Sequence, residues 1–233
     1  MVRNGLITSH DIVNLGYRKQ QLVVFEELLK SPQAIEKYAR THGVRADQPE
    51  KAWQHFFKRN DWIFGYGLDY RFLGILQDEA EVGVPDLNGA NSPTVDFLAG
   101  TKHFTMLIEL KLPDTSLFSA RRNRSSTWKL STDLYDAVSQ ILEQKASWQI
   151  RSATSSITRD GEQVAQLTAD PKALLVIGQD DAFEATNHRD RQLKLRTFEL
   201  FRRDTRNIEI VTYSELFERA SFIVAKAGQQ EHG

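Results

Sequence analysis

The sequence predicts an α/β protein built on a mixed β-sheet flanked by helices. Three observations lead there. Two apolar runs, Pro93 to Leu98 and His103 to Leu112, lie close enough to pair as neighbouring strands. Ser131 to Trp148 follows with Leu134, Val138, Ile141, Leu142 and Lys145 at helical spacing. Lys172 to Gly178 and Ile208 to Val211 are short apolar runs separated by a helical pattern from Leu193 to Arg203, as alternating strands and crossover helices require.

From the start of the chain, Asp11 to Val44 reads as helices. Leu22, Val23, Phe25, Leu28 and Leu29 form one apolar stripe and Ala34, Ile35, Tyr38 and Ala39 another, with Ser31-Pro32 between them and Gly43 as the stop. The charged stretch Arg45 to Pro49 then reads as a linker. It divides a short helical N-terminal segment, residues 1–48, from a larger domain, residues 49–233. A helix from Pro49 to Arg59 opens that domain, with Asp47 as its expected cap, Pro49 in its first turn and Ala52, Trp53, Phe56 and Phe57 as its apolar face. The aromatic, glycine-containing runs Trp62 to Tyr66 and Tyr70 to Leu76 read as strands. Ser214 to Lys226, capped by Ser214, closes the chain as a helix.

The chain of 233 residues balances 30 Lys and Arg against 31 Asp and Glu, and has no cysteine. A net charge of -1 excludes binding of nucleic acid by bulk attraction, but permits an acidic pocket beside a basic groove. Without cysteine, any metal must be held by carboxylates, histidines, carbonyls or water. No signal-peptide core and no membrane-length apolar run is present, so a cytoplasmic protein with no membrane partner is expected. His55, His103 and His188 lack the short spacing of a zinc site, and no Gly-x-Ser-x-Gly turn or phosphate loop occurs.

Chemistry concentrates on the predicted strand pair. The period of two places Glu109 and Lys111 on one face of their strand, with Ile108, Leu110 and Leu112 on the other. Buried charges need partners or an ion, and Asp96 on the preceding strand supplies a second carboxylate. Two converging carboxylates suit Mg²⁺ or Mn²⁺, and a nearby lysine can orient water or neutralise charge during phosphodiester cleavage. A salt-bridge cluster on a sheet face is the competing reading of the same three residues.

Pro93 with Asp96, followed by Glu109-Leu110-Lys111, resembles the PD-(D/E)xK nuclease superfamily. The wider text is similar to the nuclease domain of Shedu-type anti-phage defence proteins. It comprises Trp53-Gln54-x-Phe56-Phe57, Asn60-Asp61-Trp62-Ile63-Phe64-Gly65, Ile108 to Pro113, and Leu130-Ser131-x-Asp133-Leu134-x-x-Ala137-Val138-x-Gln140. Leu175 to Gly178 and Ile210 to Leu216 agree, so the likeness spans about Pro49 to Ala225.

The resemblance implies a restriction-endonuclease-like core and a metal-dependent DNA endonuclease, leaving 5′-phosphate and 3′-hydroxyl ends, with a homo-oligomeric assembly. It implies metal binding by Asp96 and Glu109, with Glu50 assisting, a catalytic Lys111, and Gln140 aimed at the site. Asp86 is the rival to Asp96, because Pro85-Asp86 has the compact spelling, although Leu87-Asn88-Gly89 after it reads as a turn. Arg121, Arg122, Arg124 and Lys129 are expected to meet the phosphates of double-stranded DNA. An inactive nuclease-fold module that binds DNA or mediates assembly, and a nuclease acting on RNA, are the alternatives.

Overall fold

A computed structural model describes residues 9–65, 74–82, 94–101, 103–123, 127–153, 163–164 and 166–229. Three helices come first: α1 (Ser9–Lys30), α2 (Pro32–Thr41) and α3 (Pro49–Arg59). Strands β1 (Gly74–Glu81), β2 (Thr94–Gly100) and β3 (Phe104–Leu110) follow, then a small hairpin, β4 (Phe118–Arg122) and β5 (Trp128–Leu130). Helix α4 (Thr132–Ser152), strand β6 (Leu167–Val176), helix α5 (His188–Asp204), strand β7 (Ile208–Val211) and helix α6 (Tyr213–Gln229) complete the order. The main sheet runs β1-β2-β3-β6-β7. Its β1-β2 and β2-β3 pairs are antiparallel, and its β3-β6 and β6-β7 pairs parallel. This is the mixed, helix-flanked sheet that the sequence predicts. No described helix is long and apolar enough to cross a membrane.

Strand alternation divides the core between the two faces. Phe97, Ala99, Met106, Ile108, Leu110, Leu174 and Val176 join side chains of α1, α2, α3 and α6. On the other face Ala173, Leu175, Ile208 and Ile210 pack with Leu134, Ala137, Val138 and Ile141 of α4 and Phe198 of α5. The Ala-Leu-Leu-Val-Ile run is thus buried on both sides because β6 lies between β3 and β7.

Helix α1 enters the same core as α3. Phe25 is fully buried, with its ring 5.4 to 5.7 Å from those of Trp53, Phe56, Phe57 and Phe217. Val23, placed in the same stripe by the sequence, instead faces outward. The rigid aromatic cluster fixes where α3 lies, and α3 in turn carries a side chain into the candidate site described below.

Several local expectations are corrected. Asp61–Phe64 forms a 3₁₀ turn rather than the strand expected over Trp62 to Tyr66. Buried Asn60 donates to the Phe56 carbonyl and accepts from the Trp62 indole, turning the chain so that consecutive Ile63 and Phe64 both enter the core. Asp47 does not cap α3, because it pairs with Arg45 while Gln48 occupies the cap position without a side-chain bond. Ser214 does not cap α6; its hydroxyl accepts from Asp180 N–H. Thr212 takes that role through a reciprocal box, Glu215 N–H to Thr212 Oγ1 at 3.1 Å and Thr212 N–H to Glu215 Oε2 at 2.9 Å. Asn187 caps α5, so that helix starts five residues before the Leu193 expected from the apolar pattern. The β4-β5 hairpin falls between β3 and α4, where the sequence pattern places no strand.

Gly178 ends the apolar β6 segment with φ +68°, and a Cβ there would lie 2.8 Å from Cγ of fully buried Leu117. Its carbonyl accepts the Tyr213 N–H at 2.9 Å, so the backbone cannot easily move away. Gly178→Ala is expected to cost roughly 2–3 kcal/mol from backbone strain and overpacking together. Differential scanning calorimetry should show a melting point lower by roughly 5–10 °C for a chain of this size.

Candidate active site

The register of β2 and β3 runs from Gly100 opposite Thr105 to Phe97 opposite Ile108, and stops there. The next pair in that register would be Asp96 with Glu109. Beyond Phe97, β2 stays paired with β1, with Val95 opposite Ala80 and Thr94 opposite Glu81, so β2 and β3 part at the two carboxylates. Asp96 replaces the missing ladder bond with its side chain: the Leu110 N–H donates to Oδ2 at 2.6 Å. Its other oxygen, Oδ1, accepts from the side-chain amide of Gln54, carried on α3.

Glu109 is 4% exposed and lies on the face covered by α4. One of its oxygens, Oε1, accepts from Lys111 Nζ at 3.0 Å and from Gln140 Nε2 at 2.8 Å. The other, Oε2, accepts from Gln144 Nε2 at 3.0 Å. Lys111 also donates to Gln140 Oε1 at 2.7 Å. Residues 140 and 144 are one helical turn apart, so both reach the sheet from one face of α4.

One buried and one half-buried carboxylate against one lysine leave this pocket short of positive charge. Burial, and then the charge of Glu109, push the Asp96 carboxyl up to about 7, against the opposing pull of Leu110 N–H, Gln54 and Lys111. Asp96 and Glu109 are hard oxygen donors, and the excess negative charge is what a divalent cation would neutralise. No group of three His, Asp or Glu residues converges among the described residues. The donor set therefore suits a small hard ion that keeps several waters and binds through one or two carboxylates.

The structure brings together Asp96, Glu109, Lys111 and Gln140 of the residues expected from sequence. Asp86 lies outside the described residues. Glu50, in the first turn of α3, is exposed and makes no hydrogen bond to the cluster; Gln54, one turn later, is the α3 residue that touches Asp96. Gln144 has no place in the sequence reading, and Gln54 appears there only within the Trp53-Gln54-x-Phe56-Phe57 likeness, with no role assigned. Their signal was spacing: each stands four residues after a singled-out position, Glu50 or Gln140, on the same helix face.

Of the expected phosphate-binding residues, Arg121, Arg122 and Lys129 lie on the β4-β5 hairpin. Arg122 pairs with Asp190 of α5 and stacks over Trp128, with its guanidinium carbon 5.1 Å from the ring centroid. Lys129 is exposed on β5. Arg121 belongs to β4, its side chain lying outside the described set, as does the whole of Arg124.

The raised Asp96 pKa makes the site a source of instability in the metal-free protein. The folded state keeps the Asp96 proton to a higher pH than the unfolded chain does, so the contribution is favourable below about pH 4 and is lost as pH rises to about 7. Asp96→Asn keeps an acceptor for Leu110 N–H, and Gln54 can turn its amide to suit. In chelator at pH 8 the variant should melt above wild type, by roughly 2–4 °C for each kcal/mol relieved. The gain should disappear near pH 4; an equal effect at both pH values would contradict the assignment.

Comparison with known proteins bears on this arrangement. The family model for the C-terminal region of the Shedu protein SduA matches residues 47–217, which include Gln54, Asp96, Glu109, Lys111, Gln140 and Gln144. A Shedu protein SduA from Bacillus cereus (strain B4264) is 29% identical over 179 residues, covering 75% of this chain and 45% of that protein. The chain thus spans about half the length of the curated relative it matches. On the extent of the family match, the chain belongs to the Shedu SduA C-terminal family.

Proposed function

We propose that the chain is a divalent-metal-dependent DNA endonuclease acting in anti-phage defence. The observation that carries this reading is the meeting of Asp96, Glu109 and Lys111 where β2 and β3 part. Family membership supports the defence role.

Asp96 and Glu109 would hold Mg²⁺ or Mn²⁺. When bound, such an ion polarises a phosphoryl oxygen and favours ionisation of water. Lys111 gives one N–H to Glu109 and one to Gln140, which leaves a third for the attacking water or a phosphate oxygen. Gln140 bridges Lys111 and Glu109, so it holds the ammonium and the carboxylate in one orientation. Arg122 is committed to Asp190 and Trp128, so it braces the hairpin. Phosphate contact is assigned to Lys129 and Arg121 of that hairpin and to Arg124. Action as a homo-oligomer on double-stranded DNA in the cytoplasm completes the proposal.

Plasmid cleavage tests it directly. Product should form with Mg²⁺ or Mn²⁺ and not with EDTA, and Lys111→Ala and Glu109→Ala should each lose about a hundredfold or more of the rate. Cleavage in EDTA, or full activity in both variants, contradicts the mechanism. Salt-sensitive DNA binding without product under either metal would replace it with a binding module, and preferential competition by RNA would change the substrate.

A further inference from the structure

We infer that Gln144 is a positioning residue that sets the separation of Asp96 and Glu109, an inference that rests on the metal-dependent reading above. Gln144 is 2% exposed, a depth at which a long polar side chain needs a reason. Its amide nitrogen has two protons, and both are used. One goes to the Thr94 carbonyl at 2.6 Å and the other to Glu109 Oε2 at 3.0 Å.

The position of Thr94 gives those bonds their meaning. Thr94 begins β2, two residues before Asp96, on the stretch that has already separated from β3. Its carbonyl accepts from the Gln144 amide of α4 at a point where β2 is paired with β1 and no longer with β3. The amide is therefore a wedge in the fork: one proton fixes the strand that carries Asp96, and the other fixes Glu109 itself. Gln140 cannot do this, because its contacts are with Lys111 and the other oxygen of Glu109.

Both groups facing the amide are oxygens, so its orientation is determined: a flipped amide would set Oε1 against a carbonyl and a carboxylate. That choice leaves Gln144 Oε1 buried without a partner. An orphaned buried acceptor is costly, and a side chain serving only to fill the core would be better replaced by an apolar one. The bridge between strand and carboxylate accounts for keeping the amide.

Mn²⁺ binding to the DNA-free protein, measured by calorimetry, tests the inference beside plasmid cleavage. Gln144→Met keeps the length of the side chain and removes both donors. The expected result is Mn²⁺ affinity lower by about 10–100-fold, the usual effect of removing a group that orients a metal ligand. Lower kcat with unchanged KM for DNA should accompany it. A purely structural role would lower the melting point and leave Mn²⁺ affinity and kcat of the folded protein at wild-type values, which overturns the inference. If Gln144→Met melts below the assay temperature, Gln144→Asn serves instead: its shorter arm cannot span both acceptors, and the same two outcomes apply. Wild-type protein that takes up no Mn²⁺ overturns the metal reading and this inference together, whereas wild-type uptake with an unaltered variant overturns this inference alone.

Discussion

Two carboxylates set side by side where adjacent strands part, Glu109 buried and Asp96 half-buried, are the constraint on which the rest of the site depends. Asp96 and Glu109 repel one another in a place where water screens little, and Lys111 compensates only one charge. The surrounding structure supplies neutral donors: the Leu110 N–H, and the amides of Gln54, Gln140 and Gln144. Hydrogen bonds to carboxylates are stronger than those between neutral groups, so they can hold both groups in place without cancelling their charge. The pocket is ordered and still negatively charged, a combination suited to holding a cation.

That order reaches the site from three directions. The sheet fixes β2 and β3 through a continuous buried ladder from Phe97 to Gly100 and Thr105 to Ile108, so the point of separation is well defined. Helix α3 brings Gln54, and its position depends on the Phe25, Trp53, Phe56 and Phe57 cluster contributed partly by α1. Helix α4 brings Gln140 and Gln144 along one edge of its sheet-facing side, while Leu134, Ala137, Val138 and Ile141 on the rest of that side pack against β6. Thus the apolar core and the polar site are parts of the same arrangement, with each helix contributing a buried stripe and a reaching amide.

Much of this was legible in the sequence. The β2-β3 pair and the long α4 have clear periods, the β6 segment stands out as a short continuous apolar run, and Glu109 and Lys111 stand out as charges in an apolar strand. Gln140 entered through family likeness. Gln54 and Gln144 were less visible, because a glutamine on a helix is usually a solvent-facing residue and only the fork between β2 and β3 gives these two a task. The 3₁₀ turn at Asp61–Phe64 was hidden by aromatic composition, since Trp, Ile and Phe favour strands unless a local side-chain bond such as that of Asn60 turns the backbone. Arg122 shows a different limit. Its charge was plain, whereas its engagement by Asp190, 68 residues away in the chain, was not.

The central claim is that Asp96 and Glu109 jointly ligate one divalent ion. A crystal structure of the protein grown with Mn²⁺, using anomalous scattering to locate the metal, tests it most directly. The account predicts one strong peak at about 2.0–2.3 Å from an oxygen of each of the two carboxylates. A peak ligated by Asp86 in place of Asp96, or no peak at the fork between β2 and β3, would contradict it.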